Sequence, residues 1–279
     1  MNYHKVVFVI EPLLPAREIL YADLDQLDFE SIIDTDHGVE AFIPEGQFKL
    51  EDLENLMIHN LPDLKVTFSH EIVEQQNWNA AWESQFEPIH INDKCVIRAP
   101  FHEGFGLPYE IIISPKMSFG TGHHETTFLI SQRLFELDLK NKSVMDMGCG
   151  TGVLAIIAKK LGAGLTHGID IENRAYHNSI ENAELNDTAD ITFFEGDATL
   201  LGDTCYDLFI ANINRNILTA DLPRYVKCMK QGATLLLSGF YTTDVEVLKT
   251  RGEECGLNFV NSTSKNNWAL VQLQKTKYL

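Results

Sequence analysis

No stretch of this 279-residue sequence holds the roughly 18 consecutive apolar residues that a membrane-spanning helix needs, so none is expected. The opening MNYHKVVFVI is too short and too mixed to read as a secretory leader. Cysteine is sparse. The five residues Cys95, Cys149, Cys205, Cys228 and Cys255 form no CxxC pair and no paired framework, and read as reduced thiols of a cytoplasmic protein. Basic residues are outnumbered, 22 Lys and Arg against 40 Asp and Glu, for a net charge of -18. With no Lys/Arg cluster to override that field, nucleic acid is not expected as a direct partner, and no membrane is either. A GxxxxGK[ST] phosphate loop is missing. The neighbouring His123 and His124 lack an acid at HExxH spacing, which argues against a metal site. Internal repeats and low-complexity stretches are absent as well.

The acidity is uneven. Residues 1–65 carry fourteen Asp and Glu against four Lys and Arg, more than half of the net charge in under a quarter of the chain. Two readings stay open: a solvated surface that maintains solubility, or a docking face that raises the on-rate of a basic partner.

The order of patterns implies two domains. Residues 3–10 are apolar and β-branched, a strand. Pro12 and Pro15 break it and open a helix to about Leu24. Two short strands, near 28–33 and 38–43, flank a turn at Asp36-His37-Gly38. Apolar residues at helix spacing fill Leu50 to Ile58, and Val66 with Phe68 close on a strand. This β-α-β-β-α-β order predicts a ferredoxin-like α+β domain over residues 1–70. Residues 71–90 read as a helical linker, with Trp78, Trp82 and Phe86 on one face and Pro88 at its end. Two strands near 95–99 and 110–114 have the look of a hairpin. From Thr126 on, strands alternate strictly with helices. Strands are predicted near 143–146, 165–170, 191–195, 206–211, 233–238, 259–263 and 268–273, the pattern of a mostly parallel sheet covered on both faces.

Within that alternation Val144-Met145-Asp146-Met147 runs into Gly148-Cys149-Gly150-Thr151-Gly152, and Val153 begins a helix. Glycines there allow a tight turn and close approach of a ligand to the backbone. The spacing is GxGxG. The dinucleotide fingerprint would require glycine where Val153 stands. Asp146 precedes the turn, Asp170 ends the next strand, and Asp197 follows the third. A carboxylate at the position of Asp170 can accept hydrogen bonds from two ribose hydroxyls. In Rossmann-like methyltransferases the acid before the turn supports the loop, and one after the third strand faces the adenine amino group. For Asp197 the alternative is a turn or helix-start residue. Together these positions converge on the carboxyl edge of one sheet and predict S-adenosylmethionine as cofactor.

Four motifs in one order narrow the family. Phe119-Gly120-Thr121-Gly122-His123-His124-Glu125-Thr126-Thr127, the linker NWNAAWESQFEPI, Asp146 to Gly152, and Ala211-Asn212-Ile213 together resemble the signatures of the ribosomal protein L11 methyltransferases. Ser114-Pro115 and Ser118 depart from that family's usual Asp-Pro and Ala. The resemblance implies a class I methyltransferase domain over residues 91–279, with a seven-stranded sheet, behind a substrate-recognition domain. It implies that Thr127, Gly148, Asp170 and Asn212 contact the cofactor, and that the loop Phe119, Gly120, Thr121 and Gly122 closes over its methionine end as a flexible flap. Gly150 and Asp197 complete the cofactor set. Asn212 is the candidate catalytic residue, its carbonyl orienting the amine that attacks. The implied partner is the basic ribosomal protein L11, methylated on lysine side chains and/or its N-terminal α-amine. A methyltransferase acting on another protein or on a small amine is the alternative. Asn212-Ile213-Asn214-Arg215 lacks the Pro-Pro-aromatic ending of nucleic-acid amino methyltransferases.

Overall fold

The computed structural model describes residues 2–73, 86–116 and 118–276. The chain divides into two compact units, residues 1–85 and 86–279. Among the described residues no helix is long and apolar enough to cross a membrane.

In the first unit, β1 (Tyr3–Glu11), β2 (Ser31–Thr35), β3 (Gly38–Pro44) and β4 (Lys65–Val73) form an antiparallel sheet in the order β2-β3-β1-β4. Helices α1 (Leu13–Leu24) and α2 (Leu50–Glu54) complete the β-α-β-β-α-β order read from the sequence. Strand β1 alternates: Val6, Phe8 and Ile10 are buried against Ala16, Leu20 and Leu24 of α1 and against Leu53 and Ile58. Leu14 has extended φ/ψ because the following Pro15 disfavours helical geometry, so the regular helix starts there. Gly38 sits against β1 so closely that a Cβ would lie 1.9 Å from the Phe8 carbonyl oxygen, and no larger residue fits. The expected single helix from Leu50 to Ile58 is broken. α2 ends at Glu54, Asn55 Nδ2 bonds back to the Glu51 carbonyl, and a 3₁₀ turn at Met57–Asn60 follows.

The expected linker helix over 71–90 is corrected at both ends. Glu71 to Val73 extend β4, because β1 offers a pairing partner as far as Tyr3↔Val73. Ile89 and His90 open the next strand. Trp78 and Trp82 lie outside the described residues.

The second unit begins with a small sheet of β5 (Ile89–Asn92), β6 (Cys95–Arg98) and β7 (Tyr109–Ile112). The hairpin is β5–β6. The pair predicted as a hairpin, β6 and β7, is parallel. Ten residues separate them, enough chain to return alongside a four-residue strand. That loop is held by Glu110, which accepts from Arg98 Nε, Phe105 N and Gly106 N at 2.7, 2.8 and 2.6 Å.

The main sheet has, among the described residues, the order β10-β9-β8-β11-β12-β14-β13. Its strands are β8 (Val144–Met147), β9 (Thr166–Asp170), β10 (Thr192–Glu195), β11 (Tyr206–Asn212), β12 (Met229–Tyr241), β13 (Leu257–Lys265) and β14 (Trp268–Lys275). β8 to β12 run parallel, and β14 is antiparallel to both of its neighbours. Side chains alternate between two cores. Val144, Leu208 and Ile210 pack beneath α3 (Glu125–Leu134) and α4 (Val153–Lys160). Met145, Phe209 and Ala211 pack beneath α6 (Arg215–Lys227) and α7 (Val245–Glu254). α5 (Asn173–Leu185) follows β9. The chain winds outward from β8 in both directions, so β8 and β11 mark the point where strand order reverses, and a crevice opens at their carboxyl ends.

At the opposite edge Asp207 fastens three segments. Its Oδ2 accepts from Ser143 N, Ser143 Oγ and Lys230 Nζ, each at 2.8 Å. Burial raises its pKa, but the bonds from Lys230 and Ser143 outweigh that and bring it down to about 2. A carboxyl depressed in the folded state stabilises above its unfolded pKa, and the gain is lost as pH falls through the folded value. Asp207→Asn should therefore lose about 2 kcal/mol of stability at pH 7 in urea unfolding, with the difference shrinking below pH 4.

Candidate functional site

The turn after β8 is built from positive-φ glycines: Gly148, Gly150 and Gly152 have φ of +70°, +54° and +79°. A Cβ on Gly148 would come within 2.3 Å of Ile213 Cγ2, and one on Gly150 within 2.3 Å of the Phe119 carbonyl oxygen. The amides of Gly148 and Cys149 both donate to the Ile169 carbonyl, at 2.8 and 3.0 Å. Gly150 N donates to Asp170 Oδ2 at 2.7 Å, and Glu172 N donates to Asp170 Oδ1 at 3.0 Å. Asp170 thus braces the turn from the tip of the neighbouring strand.

Thr151 ties this turn to two distant segments. Its amide donates to the Phe119 carbonyl at 2.9 Å, and its hydroxyl donates to the Gly120 carbonyl at 2.6 Å. Its own carbonyl accepts from Asn182 Nδ2 at 2.9 Å. Gly120 and Gly122 have φ of +102° and +97°, and a Cβ on Gly122 would sit 2.9 Å from Ile97 Cδ1. Those glycines answer to backbone conformation and close packing. The loop expected to be a free flap is bonded to the turn through both of its first carbonyls.

These segments surround a cavity of about 430 Å³, within the usual range for small-molecule sites. Phe119, Gly148, Gly150, Asp170, Asp197 and Asn212 all line it. Asn212 is 9% exposed at the end of β11. Its Nδ2 donates to Thr127 Oγ1 at 3.4 Å, and its Oδ1 has no partner among the described residues. Asp197 also caps the 3₁₀ turn Ala198–Leu200, accepting from Thr199 N at 2.8 Å and Thr199 Oγ1 at 2.5 Å, and the bonds from Thr199 lower its pKa. Phe119, His124 and Trp268 also line the cavity and continue a row of rings that ends at Tyr241. Phe119 lies 5.2 Å from His124, His124 4.5 Å from Trp268, and Trp268 4.3 Å from Tyr241, centroid to centroid.

Residues 13–276 match the family model for ribosomal protein L11 methyltransferase (PrmA). The chain is 43% identical over 277 residues to the ribosomal protein L11 methyltransferase of Phocaeicola vulgatus, covering 98% of this chain and 99% of that one. It is 47% identical over 261 residues to that of Porphyromonas gingivalis, covering 92% and 90%. This chain belongs to the ribosomal protein L11 methyltransferase family. A crystal structure of ribosomal protein L11 methylase from Lactobacillus delbrueckii subsp. bulgaricus shares the fold, with a TM-score of 0.63, 24% identity, and coverage of 68% of this chain and 100% of that one.

As a member of the ribosomal protein L11 methyltransferase family the chain is an enzyme that uses S-adenosylmethionine, and the cavity suits that group on its own chemistry. It offers a strand-end carboxylate, a turn into which a Cβ cannot fit, apolar walls, and a buried oxygen without a partner among the described residues. Not every expected contact lies on the surface of the cavity. Thr127 is behind Asn212, and its neighbour Thr126 takes the lining position. Gly120 and Thr121 lie off the lining: Gly120 is bonded to Thr151, and Thr121 Oγ1 is 3.1 Å from His123 Nδ1. Thr151 and Asn182, which join the segments, carry no motif signal beyond the variable position in GxGxG. Trp268, at the start of β14, also lines the cavity.

Asp146 is fully buried beneath the turn and is not a lining residue. Its Oδ2 accepts from Ala155 N at 3.2 Å, and its Oδ1 has no partner among the described residues. Burial raises its pKa to about 7. Burial likewise pushes the Cys149 thiol well up, so it is no thiolate nucleophile.

Two outcomes follow from this geometry. An acid whose pKa is raised in the folded state costs stability as pH climbs from its unfolded to its folded value. Asp146→Asn should therefore be more stable than the parent at pH 8 by on the order of 4 kcal/mol in urea unfolding, with the gap closing toward pH 4. Thr151→Val should weaken S-adenosylmethionine binding roughly tenfold by calorimetry, and Thr151→Ser should restore most of it.

Proposed function

We propose that this chain transfers methyl groups from S-adenosylmethionine to amines of ribosomal protein L11, on lysine side chains and/or the N-terminal α-amine. Gly148, Gly150 and Asp170 hold the cofactor from the turn side. Phe119, Gly120 and Thr121 position the methionine end, Asp197 sits at the adenine, and Thr127 acts by holding Asn212. The first unit presents the acidic substrate-recognition face, the second unit is the catalytic domain, and the enzyme works in the cytoplasm. The observation that carries the reading is Asn212 Oδ1, a buried acceptor without a partner among the described residues, on the wall of the cavity.

When bound, the cofactor supplies an electrophilic methyl on a sulfonium. The chain supplies position and surroundings. Asn212 Oδ1 accepts an N–H from the incoming amine, which fixes where its lone pair points. The amine must be neutral to attack. Near pH 7 deprotonation costs an α-amine about 1 kcal/mol and a lysine about 4–5 kcal/mol. The apolar walls from Phe119, Ile213 and Trp268 disfavour the ammonium form and lower that cost. The acids of residues 1–65 serve in docking, where charge speeds encounter, and belong away from the transfer point, where a carboxylate would keep the proton on the amine.

Incubating L11 with enzyme and labelled cofactor, followed by mass spectrometry, should show added methyls. Asn212→Ala should lower kcat on the order of 10²-fold, with cofactor affinity changed less than about threefold. If methylation survived that substitution at full rate, Asn212 would not orient the amine. Raising salt should increase KM for L11 and leave kcat nearly constant.

A further inference from the structure

One stripe of α6 lines the cavity with no role in the chemistry above. Ile217, Asp221 and Tyr225 fall at i, i+4 and i+8, and all three are lining residues. The stripe runs about 12 Å along the helix axis. Exposure falls along it: Ile217 is 44% exposed, the Asp221 side chain 22%, and Tyr225 0%. The cavity is therefore a slot that deepens beside α6. Its walls include Ile213, Ile171 and Ala198, apolar surfaces suited to the faces of a flat ring. Asp197, the neighbour of Ala198, stands at the same end.

At the deep end the Tyr225 ring stacks on Phe209, with centroids 4.8 Å apart and planes at 26°. Its hydroxyl is buried and has no hydrogen-bond partner among the described residues. The ring packing alone would be served by phenylalanine. A buried hydroxyl with nothing to bond is destabilising, and such groups normally find a partner. The charged groups near it are Asp221, itself bonded to Arg224 at 3.3 Å, and Arg224. Burial and Asp221 both hold the proton on the phenol, which leaves it a neutral donor.

We propose that Tyr225 is a cofactor-binding residue whose hydroxyl donates a hydrogen bond to a ring nitrogen of the adenine, with Ile217 and Ala198 against the faces of the ring. This rests on the cavity being the S-adenosylmethionine site, and the test separates the two claims. Calorimetry would use the full chain with S-adenosylhomocysteine and its 1-, 3- and 7-deaza analogues, for the wild type and Tyr225→Phe, alongside urea unfolding without ligand. The wild type should bind. Tyr225→Phe should bind about 5- to 10-fold more weakly, the range of one neutral hydrogen bond, and its ligand-free stability should be unchanged or raised. One deaza analogue, the one missing the contacted nitrogen, should bind both proteins equally. Equal affinity of the two proteins for the parent ligand would overturn the proposal. So would a persistent gap with all three analogues, or a loss of ligand-free stability in Tyr225→Phe. No binding by the wild type would overturn the reading of the cavity itself.

Discussion

The carboxyl edge of the main sheet is organised by the bonds of one residue, Thr151. Its amide and hydroxyl hold the carbonyls of Phe119 and Gly120, and its carbonyl takes the amide of Asn182. Positive φ at the flanking glycines lets the backbone of the turn face both ways at once. A side chain at Gly150 would strike the Phe119 carbonyl, so the loop could not reach Thr151. Asn182 extends the same connection. With Asn178 and Asn186 it forms one stripe of α5 and its C-terminal cap, and the stripe bonds the backbone of Ile112 and Ser114 as a strand would. The segment leading into the Phe119 loop is thereby fastened to the same helix as the turn.

Polar groups around this edge divide into three kinds. Asp170 accepts one backbone amide on each oxygen, which braces the turn and leaves acceptor sites open. Asn212 Oδ1 and Tyr225 Oη are buried with no partner among the described residues, at residues that line the cavity. Orphan acceptors and donors are costly in a closed core, so their position on a ligand-sized cavity is itself informative. Asp146 is a third case. It lies under the turn, where burial raises the pKa of the carboxyl to about 7. Among the described residues, the cavity thus carries a few buried groups without protein partners, set on a backbone braced by Thr151 and Asp170.

Strands β8 to β14 were legible because their apolar runs are short, bounded and separated by helix-period segments, and the glycine turn because GxGxG has few other uses. The errors have a common origin in pairing. Strands β6 and β7 read as a hairpin because proximity in sequence suggests it, yet Glu110 organises the intervening loop into a crossover. β4 runs on into the stretch read as linker helix because β1 is there to pair with it. Aromatic spacing cannot reveal that Glu71 to Val73 pair with Lys5 to Tyr3 at the other end of the domain. At Gly120 and Gly122 glycine marks unusual backbone, and the neighbours add what spacing does not carry: Gly120 is bonded to Thr151 and Gly122 packs on Ile97.

Local chemistry in the chain settled which cofactor the protein uses, because a strand, a glycine bend and strand-tip carboxylates meet its recognition needs wherever the sheet places them. Order of elements settled the fold class, because alternating periods of two and 3.6 can bury their apolar faces in few ways. Which residues line the cavity was decided in three dimensions alone. Thr126 rather than Thr127 on the lining, the indole of Trp268 in the wall and the hydroxyl of Tyr225 at the bottom of the slot all depend on how strands and helices from remote parts of the chain stack. Burial and unmet hydrogen bonds are properties of that packing, and no single segment carries them.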